Sequence, residues 1–227
     1  MENSLGRNLK VHIKTEDEIM LKQAHEKAKE LQTAQFKKLL WTFGKTYFNR
    51  MDRPFIVDKD NRQFLDVISQ YFSNNPSFEK ATGGELRKGL LVYGPCGTGK
   101  SSVFDIIGSI GKHYQHKSLW FRNVSVHTVV SEFNSLGEKV IEKYSKGTVH
   151  FEDLGTEKIA QSWGIKENLF ERLLQIRYNI FKENGTKTYI TTNLSTRSLE
   201  AMYGAQVYDR IFEMFNFIEL GGGSRRR

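Results

Sequence analysis

The chain has 227 residues, 38% hydrophobic and 26% charged, which suits one substantial α/β domain with an appendage and excludes general disorder. With 19 Gly, 3 Pro and a single Cys, it is neither collagen-like nor proline-rich, and it has no internal disulfide and no cysteine-cluster metal site. The net charge of +8 points to an anionic partner, nucleic acid being the usual one, or to a positive surface that only keeps the protein dispersed.

The start, MENSLGRNLKVHIKTEDE, has no apolar signal core, and no stretch approaches the ~20 apolar residues of a membrane span, so a cytoplasmic protein is expected. From about Glu16 to Arg50 the chain is rich in Ala, Leu, Lys, Glu and Gln and reads as helix. Its apolar positions are Ile19, Leu21, Leu31, Phe36, Leu39, Leu40 and Phe43. That face packs either on the domain behind it or on a partner protein. Arg53-Pro54 ends the helix. The chain therefore divides into an N-terminal helical arm, residues 1–52, and a domain, residues 53–227. Next comes a short extended piece and an amphipathic helix bearing Phe64, Leu65, Ile68, Tyr71 and Phe72. Asn75-Pro76 and Gly83-Gly84 are turn signals.

From Leu86 strand and helix patterns alternate, as in a parallel sheet built from βαβ units. The strands are expected at Gly89–Tyr93, Ser118–Val124, Thr148–Phe151, Lys187–Thr192 and Asn216–Leu220. Helices are expected after Lys100 and over Val126–Tyr144, Lys166–Lys182 and Ser198–Met214. Five such strands with right-handed crossovers make a three-layer α/β domain.

The strand Leu90–Tyr93 runs into Gly94-Pro95-Cys96-Gly97-Thr98-Gly99-Lys100-Ser101 and then into an apolar helix. This is G-x-x-x-x-G-K-[ST] in the strand–loop–helix setting that a phosphate-binding loop needs. Glycines let backbone N–H groups turn toward phosphate oxygens. Lys100 is placed to reach the β- and γ-phosphates, Ser101 to put its hydroxyl on Mg²⁺, and the helix start adds its dipole. Ser102 belongs to the same nucleotide-binding set, and Cys96 is a small filler of a variable loop position. ATP and Mg²⁺ are the expected cofactors. Downstream, GTVHFEDLGTE offers a strand ending in Glu152 and Asp153. One acid can hold the hydration shell of Mg²⁺ while the other orients or deprotonates the attacking water. The next strand, TKTYITTNLS, ends at Asn193, whose amide can position that water or contact the γ-phosphate.

Together these motifs resemble the AAA+ ATPases, most closely the DnaC/IstB-like branch of helicase loaders and transposition helpers. The resemblance rests on GPCGTGKSS, FEDLG, ENLFERLLQIRY followed by YITTNLS, and YGAQVYDRIFEMFNFIELGGGSR, and covers the chain from about Arg53 onward. It implies that Glu152 is the metal-facing acid and Asp153 the water-activating one. The Glu-Asp order departs from the more usual Asp-Asp or Asp-Glu, so the two roles can be exchanged. By the same resemblance Asn193 is a sensor and Arg210, in Tyr208-Asp209-Arg210, an arginine finger supplied to a neighbouring subunit. The plain reading of Arg210 is a surface ion pair with Asp209 or Glu213. A finger in trans implies a homo-oligomer, and no C-terminal helical lid is expected. Arg225 falls near the arginine of a G-x-S-x-R-like ending.

In initiators and loaders the segment between the first two motifs binds single-stranded DNA. By resemblance Lys139, Lys143 and Lys146 are the DNA candidates here, against a simple solvated helix face. Trp120 and Phe121 lie on an expected strand, so at least one belongs to the core. The six histidines show no metal spacing. The reading that follows is a DnaC-like loader of a replicative helicase, an oligomeric ATPase weak alone and stimulated by DNA or partner. Its arm would dock the helicase. An IstB-like helper of a transposase has nearly the same motor. A metabolic P-loop kinase is the alternative of another class, and it would need an acceptor pocket and an arginine-rich lid.

Overall fold

The structure is a computed structural model that describes residues 32–162 and 165–226. The part of the expected N-terminal helix before Gln32, with Ile19, Leu21 and Leu31, lies outside the described residues. Helix α1 spans Thr33–Asn49 and buries Phe36, Leu40 and Gly44, one stripe at four-residue spacing. Gly44 is required there: a Cβ would lie 2.7 Å from the Phe55 ring. Helix α2, Arg62–Phe72, turns Phe64, Leu65, Ile68, Tyr71 and Phe72 inward, and a short α3 follows at Ser77–Thr82.

The five expected strands form one parallel sheet. They are β1 (Gly89–Tyr93), β2 (Arg122–Ser125), β3 (Val149–Leu154), β6 (Thr188–Thr192) and β7 (Phe215–Glu219), in the order β2-β3-β6-β1-β7. A small antiparallel hairpin, β4 (Ala160–Ser162) with β5 (Ile165–Glu167), stands apart from it. Alternate residues of the central strands feed opposite faces. Leu90, Val92 and Tyr189 join the core under α1, α2 and α4 (Lys100–Tyr114), whereas Leu91 and Ile190 join the core on the other face. That second core is closed by α5 (Val126–Leu136), α6 (Glu138–Ser145), α7 (Leu169–Asn184) and α8 (Thr196–Met214). Apolar residues fill both layers, as a parallel sheet covered on two faces requires.

Several boundaries differ from the sequence expectation. The second strand begins at Arg122 rather than Ser118, because Lys117–Leu119 forms a 3-10 turn that drops Leu119 into the core. The helix expected over Val126–Tyr144 is two helices, broken at Gly137, whose φ of 59° a helix cannot hold. Helix α7 starts later than Lys166 because β5 occupies that stretch. Its first turn is closed by Asn168, whose side chain accepts from Glu171 N–H. Helix α8 bends at Gly204, with φ 79° and ψ 159°.

Arg177 of α7 is 1% exposed and makes no ion pair among the described residues. Its Nε donates to Thr188 Oγ1 at 2.7 Å, Nη1 to the carbonyls of Tyr144 and Ser145, and Nη2 to those of Gly147 and Lys187. All five N–H groups are used, which is what lets a guanidinium remain in a core. Burial still brings its pKa down to about 10.

Candidate functional site

The helix after β1 lies on one face of the sheet and the helix after β6, its neighbour, on the other. The chain departs in opposite directions there, so a crevice opens at the carboxyl ends of these two strands, the usual ligand position in such sheets. The glycine loop leaves β1 and Asn193 leaves β6 at this point. Gly94, Gly97 and Gly99 have φ of 144°, 83° and 101°. A Cβ at Gly94 would come within 2.2 Å of Leu220 O, and one at Gly97 within 2.4 Å of Ser224 Oγ. Thr98 closes the loop on itself through Pro95 O at 3.1 Å.

Lys100 is 5% exposed. Its ammonium donates at 2.8 Å to Gly94 O, Pro95 O and Asn193 Oδ1, so a buried cation faces neutral acceptors only. Burial pushes its pKa below the ordinary lysine value, opposed by the charge of Asp153. Ser101 begins the next position, with its hydroxyl 3.3 Å from Thr191 Oγ1.

The acids sit on an irregularity of β3. Phe151 pairs with Ile190 and Leu154 with Thr192, three steps along β3 against two along β6. The extra residue is taken up as a bulge in which Asp153 adopts φ of 59°. In a regular strand neighbouring side chains leave on opposite faces, but here both Glu152 and Asp153 line the same cavity. Asp153 N–H approaches Thr191 Oγ1 at 3.4 Å, and its carbonyl accepts from Thr156 N–H and hydroxyl. Burial raises the Glu152 pKa, partly offset by the Ser101 hydroxyl.

Residues Cys96 to Ser102, Glu152, Asp153 and Asn193 thus border one cavity of about 650 Å³. Gly94 and Pro95 contribute the carbonyls that hold Lys100 at its floor. Its opposite wall is apolar and comes from Phe48, Met51, Phe55, Ile56 and Phe64. Asp105, one turn beyond Ser101, also faces it. Its carboxylate accepts from Tyr47 Oη and Asn123 Nδ2, both at 2.9 Å, and burial raises its pKa. The tail closes the remaining side. Arg225 N–H donates to Gly97 O at 2.9 Å while its guanidinium makes a two-point contact with Asp58 at 2.7 and 2.8 Å. That guanidinium holds the Asp58 carboxyl well below the usual range. Arg226 borders the cavity beside it. Glycines open to backbone N–H groups, a buried unpaired ammonium, a hydroxyl beside two carboxylates and an apolar far wall together fit a nucleoside polyphosphate with a divalent cation.

The sequence reading did not include Thr191, Asp105, Tyr47, Asp58 or Arg226. Thr191 was detectable, two residues before Asn193 on an expected strand. The Asp58–Arg225 pair joins residues far apart in the chain, and nothing local announces it.

The other named residues lie elsewhere. Arg210 on α8 stands outside the cavity, its guanidinium 5.1 Å from the centre of the Tyr178 ring, and it makes no ion pair among the described residues. Tyr178 instead donates to Glu213. Lys143 is paired with Glu132 at 2.7 Å and Lys146 with Glu142 at 2.6 Å, while Lys139 is exposed. Trp120 is half exposed, and Phe121 packs against the core under α1 and α2. Among the described residues no group of three or more His, Cys, Asp and Glu side chains could hold a metal by itself, and no helix is long and apolar enough to cross a membrane.

No protein-family model matches the sequence, and no curated protein matches it. Solved structures do match in fold. The DnaC helicase loader superposes with a TM-score of 0.55 and 18% identity, over 78% of this chain and 99% of the other. A putative primosome component from Streptococcus pyogenes serotype M3 gives 0.54 and 18%, over 74% and 84%. The replication initiator DnaA bound to AMPPCP and single-stranded DNA gives 0.51 and 15%, over 74% of this chain and 49% of DnaA. The chain has the fold of the DnaC helicase loader, a P-loop NTPase-like α/β fold with a five-stranded parallel sheet.

Proposed function

We propose that the protein is an oligomeric ATPase of the DnaC-like helicase-loader kind, cytoplasmic, acting with single-stranded DNA and a replicative helicase. The observation that carries the ATPase reading is the gathering of Lys100, Ser101, Glu152, Asp153 and Asn193 at one crevice from three separate parts of the chain, the start of α4, β3 and the end of β6. The loader reading draws on the likeness to DnaC and on the nucleotide and single-stranded DNA held by DnaA.

In this reading the loop N–H groups and the α4 terminus receive the phosphates, and Lys100 exchanges its carbonyl acceptors for phosphate oxygens. Ser101 and Glu152 would hold Mg²⁺, which when bound would neutralise phosphate charge. Asp153 takes the proton of the attacking water, and Asn193 orients that water once Lys100 has released its amide. The apolar wall of Phe48, Phe55 and Ile56 receives the base. The two acids keep the assignment that the resemblance implies: Glu152, beside Ser101, stays with the metal. Arg210 is turned away from its own cavity and is offered to a neighbouring subunit. The role of finger typically changes phosphoryl-transfer rates by ~10³–10⁵.

The test is ATP hydrolysis measured across protein concentration, with and without single-stranded DNA, for wild type and Arg210→Ala. Turnover per subunit is expected to rise with concentration and DNA and to collapse in the variant while ATP affinity holds. Turnover indifferent to all three refutes the loader and leaves a monomeric P-loop enzyme.

A further inference from the structure

No Asp or Glu occurs between Asp105 and Glu132, while the same stretch carries Lys112, Lys117, Arg122 and three histidines. The fold gathers its middle at the edge of the sheet opposite the nucleotide cavity, where α4 ends, the 3-10 turn runs and β2 begins. Lys112, Tyr114, Lys117, Trp120 and Arg122 are all exposed there. Tyr114 and Trp120 stand 53% and 50% open, high for side chains of their size.

Both rings are held in place. Trp120 Nε1 donates to Gly111 O at 3.0 Å, and His116 N–H donates to the same carbonyl at 2.9 Å, which folds the turn back on the end of α4. Gly111 permits that approach, since a Cβ would lie 2.7 Å from Leu119 O. Tyr114 packs edge-on to His113 and against Phe43. Lys112 and Lys117 form no ion pair among the described residues, and Arg122 lies over the Tyr144 ring while donating to Lys143 O. The outer edge of β2 has no strand partner among the described residues. By contrast Lys143 and Lys146 already hold carboxylates.

We infer that this face is where the protein holds single-stranded DNA, with bases stacking on Trp120 and Tyr114 and phosphates meeting Lys112, Lys117 and Arg122. Fixed, half-open aromatic planes beside cations that form no ion pair among the described residues fit unpaired bases on a polyanion, since every base has a π-face. An acidic peptide satisfies the cations but leaves the planes unused. The inference rests on the DNA part of the proposed function and gives it a location away from the ATP site.

The test is titration of the full chain with short oligo(dT), read by intrinsic tryptophan emission and by anisotropy of a labelled strand. Trp120→Phe should lose most of the emission quench, and Trp120→Ala should weaken binding about tenfold. Lys112→Gln with Lys117→Gln should weaken it about tenfold and reduce the salt slope by about 1.4. Circular dichroism confirms that the variants fold. Wild-type binding that all three variants retain overturns this surface and leaves the loader reading standing. Absence of wild-type binding overturns both this surface and the DNA part of that reading. Displacement of oligo(dT) by polyglutamate at equal charge also overturns it, assigning the face to acidic protein.

Discussion

At the level of single residues, Lys100 and Asp153 separate binding from chemistry. Lys100→Ala removes the cation around which Gly94, Pro95 and Asn193 are arranged, and calorimetric titration with ATP is expected to detect no binding. Asp153→Asn is expected to bind ATP as the wild type does and to show no turnover. Asn tolerates the left-handed backbone that Asp153 occupies, so the bulge survives the exchange. Retained turnover in Asp153→Asn would transfer the water-activating role to Glu152. A third residue predicts an acid response. His150 is buried, stacks on Phe104 at 4.1 Å and meets Asn123 through Nδ1, and burial lowers its pKa from 6.5 to about 3. The unfolded chain therefore binds a proton that the native chain refuses between those values. Its contribution is complete above pH 6.5 and is lost as pH falls, by up to about 1.4 kcal/mol per pH unit. Urea midpoints between pH 7 and 4 should fall less steeply in His150→Phe, and equal slopes would refute the assignment. The phosphate-loop residues were legible because the motif is local. Asp105 and Thr191 were not, because their importance comes from neighbours on other elements.

Among the elements, the bulge of β3, the Arg177 clasp and the tail decide the shape of the site. Arg177 ties the turn before β3 to the start of β6, and so sets the register in which Glu152 and Asn193 approach each other. Arg177→Met leaves four carbonyls and Thr188 without their donor, and urea denaturation is expected to report a loss of about 3 kcal/mol or more. A loss under 1 kcal/mol would mean that water replaces the guanidinium. The tail pair, Asp58 with Arg225, is partly open to solvent and stabilises the fold by at most ~1 kcal/mol. Its larger effect is on the ligand, because it holds Gly97, the tail and the segment before α2 together around the cavity. Asp58→Asn is expected to speed release of a fluorescent ATP analogue about fivefold in stopped flow with little change in melting temperature. Unchanged release would make the pair a surface contact only. The strands carrying motifs were legible from their apolar runs. The β4–β5 hairpin was not, since three-residue strands carry no periodicity. The split between α5 and α6 was announced by Gly137, but a helical pattern continues on both sides of it.

For the whole molecule, the proposed division of labour between subunits can be separated from any effect inside one. A Lys100→Ala subunit keeps its Arg210, and an Arg210→Ala subunit keeps its Lys100. Mixing two inactive variants in equal amounts should restore activity at about a quarter of the interfaces, those with an intact cavity facing an intact arginine. No recovery on mixing would place Arg210 in its own subunit's chemistry or remove it from the reaction. The layered α/β order was legible because strand and helix periods alternate along the chain. The pairing of strands was not, because register and neighbour choice depend on contacts across the whole length.

That pairing has a bearing on how the protein comes into being. The strand that carries the phosphate loop lies between β6 and β7, whose residues begin at Thr188 and end at Glu219. Whatever helices have formed by the time β1 leaves the ribosome, both edges of that strand remain open until roughly a hundred more residues have been made. Sheets closed by such distant partners form slowly and expose sticky edges meanwhile. The nucleotide site is accordingly among the last features to mature, and newly made chains should accept ATP only after the final strand has docked, a delay that pulse-labelled translation products captured on an ATP resin would reveal.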